Sequence, residues 1–355
     1  MTDDVMRLVD DGEHYNLHDI LTTNAMWCFI MGARGLGKTF GALNFCIKKY
    51  IHKKRQFIYL RRYDEDIKKI RPTFFKDMAL VFPEYKFQIE GMNLQICFHP
   101  DEKKRVWETM GYIVSLNTSG SLKSVPFPQV YYIIYDEIFP NKNSQRFLSN
   151  ETEIFQEFYS TVDRAQDRVK VLALSNATSV ANPYFSAYKL RIEQQNKNIQ
   201  IYAKGFIAVE LADYKGFSAK VKRSRFGQFI TRYSPDYAEY AMSNKFRDNT
   251  KDLIAELNPN VDSYNFTIET EMGEFNIWSH FDNRIHDGYY FLSNKTVKHP
   301  RMKTMVPQNV TTNKTLLRKN DEIVKRLSSA YRGGRLRFES SELQAIFIDM
   351  YGATL

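Results

Sequence analysis

Apolar runs broken by polar punctuation set the outline of the chain. Met26 to Met31 is a short continuous apolar run that drops into Gly32-Ala33-Arg34-Gly35-Leu36-Gly37-Lys38-Thr39, and Phe40 to Tyr50 then repeats apolar side chains at helical spacing. The first reads as a buried strand and the second as a helix. Gln56 to Leu60 is a second strand, ending in Arg61-Arg62, where a parallel sheet would present charge at its functional edge; the alternative is a plain exposed pair of arginines. Asp66 to Val81 is expected to be helical after Pro72, Tyr85 to His99 alternates like a hairpin turning at Gly91-Met92-Asn93, and Asn117 to Lys123 is a polar loop. Val130 to Tyr135 is uniformly apolar, as a strand buried on both faces must be, and stops at Asp136-Glu137. Ile154, Phe155, Phe158 and Val162 share one face of a helix from Glu151 to Asp163, and Val169 to Leu174 is a strand running into Ser175-Asn176. Five strands with interleaved helices predict a parallel α/β domain.

From about Lys204 the pattern changes. Asp213 to Arg232 carries Lys215, Lys220, Lys222, Arg223, Arg225 and Arg232 against the single acid Asp213. This is either a solvated face or a lid that touches phosphate backbones, with Phe217, Phe226 and Phe229 packing it down. Tyr264 to Glu269, Phe275 to Phe281 and Tyr289 to Leu292 then alternate like three antiparallel strands. Asp321 to Arg332 reads as a helix stopped by Gly333-Gly334, and Ser341 to Tyr351 as a terminal helix. The expected division is 1–205, 206–245 and 246–355: an α/β nucleotide domain, a basic linker and a smaller α+β domain.

Composition narrows the class. A chain of 355 residues with 43% apolar and 14% aromatic content can fill about two cores. No run of about 18 apolar residues occurs and the N-terminus is acidic and polar, so neither a membrane span nor a signal peptide is expected. The three cysteines, Cys28, Cys46 and Cys97, are isolated, which favours a reducing compartment and argues against a zinc site. A formal net charge of +9 suits a polyanionic partner.

The chemistry sits in two motifs. Residues 32–39 form a complete phosphate-binding loop: Gly32, Gly35 and Gly37 let the backbone aim successive N–H groups at phosphate oxygens, and the helix that follows adds its positive end. Lys38 would reach the β- and γ-phosphates of ATP and the Thr39 hydroxyl would ligate Mg²⁺. Asp136 would hold the same metal through its water shell, and Glu137 would act as general base or orient the attacking water. An apolar strand ending in two acids is also what a strand edge meeting solvent looks like; the intact loop upstream favours the functional reading. Ser175 and Asn176 would sense the γ-phosphate, unless they simply cap their strand.

The chain resembles the DNA-packaging ATPases of phi29-like tailed phages, relatives of the large terminases. The resemblance rests on GARGLGKT at 32–39, QFIYLRRY at 56–63, IIYDE at 133–137, VDRAQDRVKVLALSNATSVANPYF at 162–185, SRFGQFI at 224–230 and YRGGRLRF at 331–338. It implies a phosphate-loop sheet of the additional-strand, catalytic-glutamate type, then a small linker and an RNase-H-like domain that has lost its acidic triad. By position, Lys38 and Thr39 match the loop residues, Asp136 the metal-associated carboxylate and Glu137 the catalytic one. Arg164 falls at the family's arginine finger, supplied to the neighbouring subunit's nucleotide, and Lys123 at a second trans-acting basic position. Arg34 matches the arginine that large terminases carry inside their loop. Gln166 stands where the family has its next basic residue, with Arg168 close by.

The resemblance further implies a homomeric ring, pentameric in the family, that drives double-stranded DNA through the portal of a procapsid, with a structural packaging RNA as a further family partner. It would work in the host cytoplasm, transiently attached to the procapsid. Lys215, Lys220, Lys222, Arg223 and Arg225 would touch DNA phosphates. A helicase or other DNA-dependent ATPase shares every nucleotide residue, and a nucleotide-gated scaffold is the non-enzymatic alternative. Cleavage by the C-terminal domain is not expected: the strand Tyr264 to Glu269 has no mid-strand Asp, and Asp282, Asp287 and Asp349 do not obviously converge.

Overall fold

The computed structural model describes residues 14–140, 147–148, 150–176, 182–190, 198–234, 238, 257–258, 260, 262–270, 273–280, 289–305, 315–317, 322–332, 335–340, 343–344 and 347. They fall into two compact units, one within 1–178 and 192–247, the other within 179–191 and 248–355.

In the first unit Trp27–Gly32 (β1), Gln56–Arg61 (β2), Lys86–Glu90 (β3), Asn93–Cys97 (β4), Glu108–Ser115 (β5), Val130–Asp136 (β6), Lys170–Asn176 (β7), Ile199–Tyr202 (β8) and Ile207–Ala212 (β9) form one sheet in the order β3-β4-β5-β2-β6-β7-β1-β9-β8. The strands from β5 to β9 in that order are parallel, while β3-β4 and β8 add antiparallel edges. The parallel core is therefore larger than the five strands expected. β5 was hidden by Gly111, whose Cβ position would lie 2.3 Å from the Phe57 carbonyl oxygen, so the strand needs a residue that sequence patterns count against it. β9 pairs with β1 from Trp27↔Ile207 to Gly32↔Ala212, so the sheet runs past the boundary expected at 205.

His18–Thr22 (α1) precedes the sheet, and the connections between strands hold Lys38–Lys53 (α2), Asp64–Ile70 (α3), Lys76–Val81 (α4) and Glu151–Asp163 (α5). Helix is thus present before Pro72 as well as after it, and the polar loop expected at Asn117 to Lys123 is a 3-10 helix, Leu116–Leu122, packed against α5. The core gathers Cys28, Ile30, Cys46, Ile47, Phe57, Ile134 and Leu172, and all three cysteines are free and buried. Pro183–Ala187 (α6) belongs to the second unit.

The basic stretch folds as two helices, Lys215–Arg223 (α7) and Arg225–Tyr233 (α8), parted by Ser224, whose hydroxyl caps α8 by accepting the Gly227 N–H at 3.0 Å. Phe217 packs onto the sheet's core as expected. Phe226 and Phe229 are more than half exposed instead, and the Phe229 ring lies tilted against Tyr233 with centroids 5.2 Å apart.

In the second unit Ser263–Thr270 (β10), Gly273–His280 (β11), Tyr289–Ser293 (β12), Met302–Met305 (β13), Thr315–Leu317 (β14) and Leu336–Phe338 (β15) form a sheet ordered β14-β13-β10-β11-β12-β15. β10, β11 and β12 are antiparallel, and β13 and β14 continue parallel to β10. Glu322–Arg332 (α9) stops before Gly333-Gly334, and Leu327 joins Ile268, Ile277, Leu292 and Phe338 in this unit's core. Most of the helix expected at Ser341 to Tyr351 lies outside the described residues, as do Asp282, Asp287 and Asp349. Among the described residues no helix is long and apolar enough to cross a membrane.

Candidate active site

The site begins with β1, buried at all six positions between β7 and β9, so the loop that leaves it emerges inside the sheet and not at its edge. Gly35 and Gly37 hold φ of +84° and +92°, a region that L side chains resist, and α2 starts at the next residue. Lys38 is buried, and its ammonium donates to the Gly32 carbonyl at 2.9 Å, the Ala33 carbonyl at 2.8 Å and Asn176 Oδ1 at 3.3 Å. A buried ammonium needs acceptors, and the loop's own carbonyls serve; phosphate oxygens would offer it charged ones. Burial pushes its pKa down to about 8, against the pull of Asp136.

β6 delivers the carboxylates beside this loop. The Thr39 hydroxyl donates to Asp136 Oδ1 at 2.9 Å, and Asp136 Oδ2 accepts from Tyr59 OH at 2.6 Å and Arg61 Nη1 at 2.9 Å. The other Arg61 nitrogen, Nη2, donates to Glu137 Oε2 at 2.7 Å. Glu137 itself sits at φ +55° with about half its side chain exposed, whereas Asp136 is buried. Burial opposes the Arg61 charge, but Asp136, Tyr59 and Glu137 outweigh it and hold the guanidinium charged. Burial, then Asp136, push the Tyr59 hydroxyl well above its usual range, so it remains a donor.

These groups line a cleft of about 510 Å³ that also takes in Arg34, Gly35, Gly37, Ser175 and Asn176, with Phe74, Asp77 and Met78 among its other lining residues. The structure thus brings together the loop residues, Thr39, Asp136, Glu137, Ser175 and Asn176. Of the strand-end pair, Asn176 meets Lys38, while the Ser175 hydroxyl turns to backbone, donating to the Asn176 carbonyl at 2.8 Å. Tyr59 was not assigned from sequence, and Arg61 was read with Arg62 only as charge at the sheet's functional edge or a plain exposed pair; both arginines are buried, so the exposed pair is not what forms. The signal existed: a basic residue at the end of one strand beside a neighbour that ends in two acids.

Arg164 and Lys123 do not line this cleft. Arg164 is exposed at the end of α5, at φ +53°, and Lys123 makes a 2.9 Å surface ion pair with Glu157 on the same helix. Arg168 is committed to structure: it donates to the Phe127 carbonyl at 2.9 Å, the Val162 carbonyl at 2.7 Å and the Val130 carbonyl. Lys215, Lys220, Lys222, Arg223 and Arg225 are all outside the cleft lining, exposed on α7 and α8.

The Lys38 value carries a pH prediction. ATP needs the ammonium charged, so affinity in the free protein should hold below pH 8 and weaken, by at most about tenfold per pH unit, above it. Stability should move the other way: the unfolded chain keeps this proton up to about 10.5, so the nucleotide-free fold gains stability between pH 8 and 10.5. Equilibrium binding of ATP and melting across pH 7–10 check both signs.

A phosphate loop leaving an interior strand of a parallel sheet, with two carboxylates beside its Thr39 hydroxyl, defines an α/β nucleotide-binding protein of the ATPase fold. The family model for podovirus DNA encapsidation protein (Gp16) matches residues 9–354. The DNA packaging protein of Bacillus phage phi29 is 28% identical over 348 residues, 97% of this chain and 98% of that protein. Among solved structures, a chain of the bacteriophage phi-29 viral genome packaging motor assembly is 26% identical, with a TM-score of 0.68 over 95% of this chain and 99% of that one. The N-terminal domain of the DNA packaging ATPase from phi29 is 30% identical, with a TM-score of 0.51 over 57% of this chain and 98% of that one. The chain belongs to the podovirus DNA encapsidation protein family.

Proposed function

We propose that this chain is the ATP-driven motor subunit that packages a viral genome of double-stranded DNA into a procapsid through its portal, working as a homomeric ring. The observation that carries the reading is the cleft itself, where Lys38, Thr39, Asp136 and Glu137 converge in a member of the encapsidation family. Bound across the loop, ATP would place its phosphates on the backbone N–H groups of residues 35–39 and on Lys38. The hydroxyl of Thr39 and carboxylate of Asp136, already in contact at 2.9 Å, are the hard oxygen donors that suit Mg²⁺. That ion would neutralise charge on the phosphate oxygens. Glu137 has the exposure to meet water, and as general base it would take the proton of the attacking molecule.

Arg164 and Lys123 are read as reaching the next subunit's cleft, since neither reaches its own. An arginine brought in this way is always charged and meets the γ-phosphate only when two subunits dock. Ring assembly and the portal follow from the family. The lysines and arginines of α7 and α8, within the proposed linker 206–245, are read as phosphate contacts with DNA that carry no sequence information. The triple change Lys220→Ala, Lys222→Ala, Arg223→Ala should therefore flatten the slope of log affinity against log salt by about 0.9 for every phosphate the variant no longer neutralises, equally for any duplex sequence.

For the C-terminal unit, three antiparallel strands with two more added parallel to the first support an RNase-H-like fold. Where such a nuclease would gather carboxylates, Thr267 bonds Asn276, whose amide donates to the Lys295 carbonyl at 2.6 Å, and Ser293 donates to Glu339 at 2.6 Å. The Lys295 ammonium lies 3.2 Å from Glu339. Among the described residues the one carboxylate at this place, Glu339, is already held by a cation and a hydroxyl, which suits a two-metal site poorly and supports a vestigial, non-cleaving domain.

The test is ATP turnover with and without double-stranded DNA for Glu137→Gln, Arg164→Ala and their mixture. Each variant alone should be inactive, and mixing should restore turnover, because some interfaces then pair an intact Glu137 with an intact Arg164. Co-assembled mixtures that stay inactive would remove the inter-subunit mechanism.

A further inference from the structure

Arg164 sits on a turn that one side chain builds. Asp163, the last residue of α5 and 3% exposed, gathers four consecutive backbone amides: its Oδ2 accepts the N–H of Gln166 at 3.0 Å and of Asp167 at 3.1 Å, and its Oδ1 those of Arg168 and Val169 at 3.0 Å each. Burial would raise its pKa, yet these bonds prevail and hold the carboxyl below its usual value. Around that carboxylate Arg164, Ala165 and Asp167 take φ of +53°, +55° and +51°, a conformation non-glycine residues hold only when their surroundings impose it. Arg168 closes the far side of the turn through its bonds to the Phe127, Val130 and Val162 carbonyls. The base is fixed too, since at the other end of α5 Glu151 is bonded to Arg62 at 2.6 and 3.0 Å. Arg164 stands exposed on this fixed turn.

Such rigidity has a use. A flexible arginine that must meet a phosphate on another molecule loses conformational freedom at each encounter, and a fixed mounting removes that cost in advance. We propose that Asp163 is the positioning residue of the inter-subunit step: by gathering the amides of residues 166–169 it sets the left-handed turn that presents Arg164 to the neighbouring subunit. This rests on the reading of Arg164 as a donor in trans.

Asp163→Asn decides it. The amide keeps one acceptor atom and turns a donor against the remaining N–H groups, so the turn should loosen. Expected are an unchanged affinity for a non-hydrolysable ATP analogue and DNA-stimulated turnover at least tenfold lower. The double variant with Arg164→Ala should be no slower than Arg164→Ala alone. Mixed with Glu137→Gln it should regain turnover, and mixed with Arg164→Ala it should not. A lower melting temperature with wild-type turnover, or failure to complement Glu137→Gln in co-assembled rings, overturns the proposal. Wild-type turnover in Arg164→Ala would instead sink the trans-arginine reading beneath it. Should Asp163→Asn not fold, Asp163→Glu keeps the charge but shifts the carboxylate by one methylene: slowed turnover with the same complementation supports the proposal, and wild-type turnover overturns it.

Discussion

Glu137→Gln is expected to lower ATP turnover by about 10²–10⁴-fold while leaving ATP binding and folding almost unchanged. The amide matches the carboxylate in shape, and its oxygen can still accept from Arg61 Nη2, which lies 2.7 Å from Glu137 Oε2. Asp136 keeps its bonds to Thr39, Tyr59 and Arg61, so the phosphate and metal side of the cleft is untouched. What disappears is the proton acceptor. The Arg61–Glu137 pair is about half exposed on the Glu137 side, so its weakening costs little stability. Single-turnover hydrolysis beside equilibrium binding of ATP separates the two effects. A Glu137→Gln protein that hydrolyses within a few-fold of wild type would require another base in the cleft.

The cleft was the most legible part of the chain because it is written in short, contiguous words. Residues 32–39 fix a conformation that only glycines at those offsets permit, and Val130 to Tyr135 can be nothing but buried, so Asp136 and Glu137 had to emerge at its end. The hairpin at Gly91 was legible for the same local reason. What escaped depends on distant neighbours. β5 carries Gly111 because Phe57 of β2 passes too close for a side chain, and no local pattern announces that. β9 carries Glu210, a buried carboxyl that accepts the Tyr15 hydroxyl at 2.5 Å and that burial pushes up to about 7, so it is an acid that behaves as part of a core. Arg61 and Arg62 read alike in sequence, yet one joins the two carboxylates of the cleft and the other the buried carboxylate of Glu151. Only the register of β2 against β6 assigns them.

That second arginine predicts the largest loss of stability. Arg62 and Glu151 are both almost wholly buried, and Glu151 also accepts from Tyr135 OH at 2.9 Å and the Leu148 N–H at 2.8 Å. Glu151→Ala would leave the guanidinium uncompensated in the interior, which costs about 3–5 kcal/mol. At roughly 2–4 °C per kcal/mol for a unit of this size, the first unit should melt roughly 10 °C lower. Replacing both partners, Arg62→Met with Glu151→Met, removes the stranded charge and should recover part of that loss, the remainder persisting because the Tyr135 hydroxyl, the Leu148 N–H and the Glu137 and Ile138 carbonyls lose these partners. Function should not recover with it. Arg62 also donates to the carbonyls of Glu137 and Ile138, so it fixes the backbone on which the Glu137 carboxylate, the proposed base, stands. The double variant is therefore expected to melt above Glu151→Ala yet turn over ATP more slowly than wild type. Calorimetry beside steady-state kinetics would show whether fold and catalysis part at this one pair.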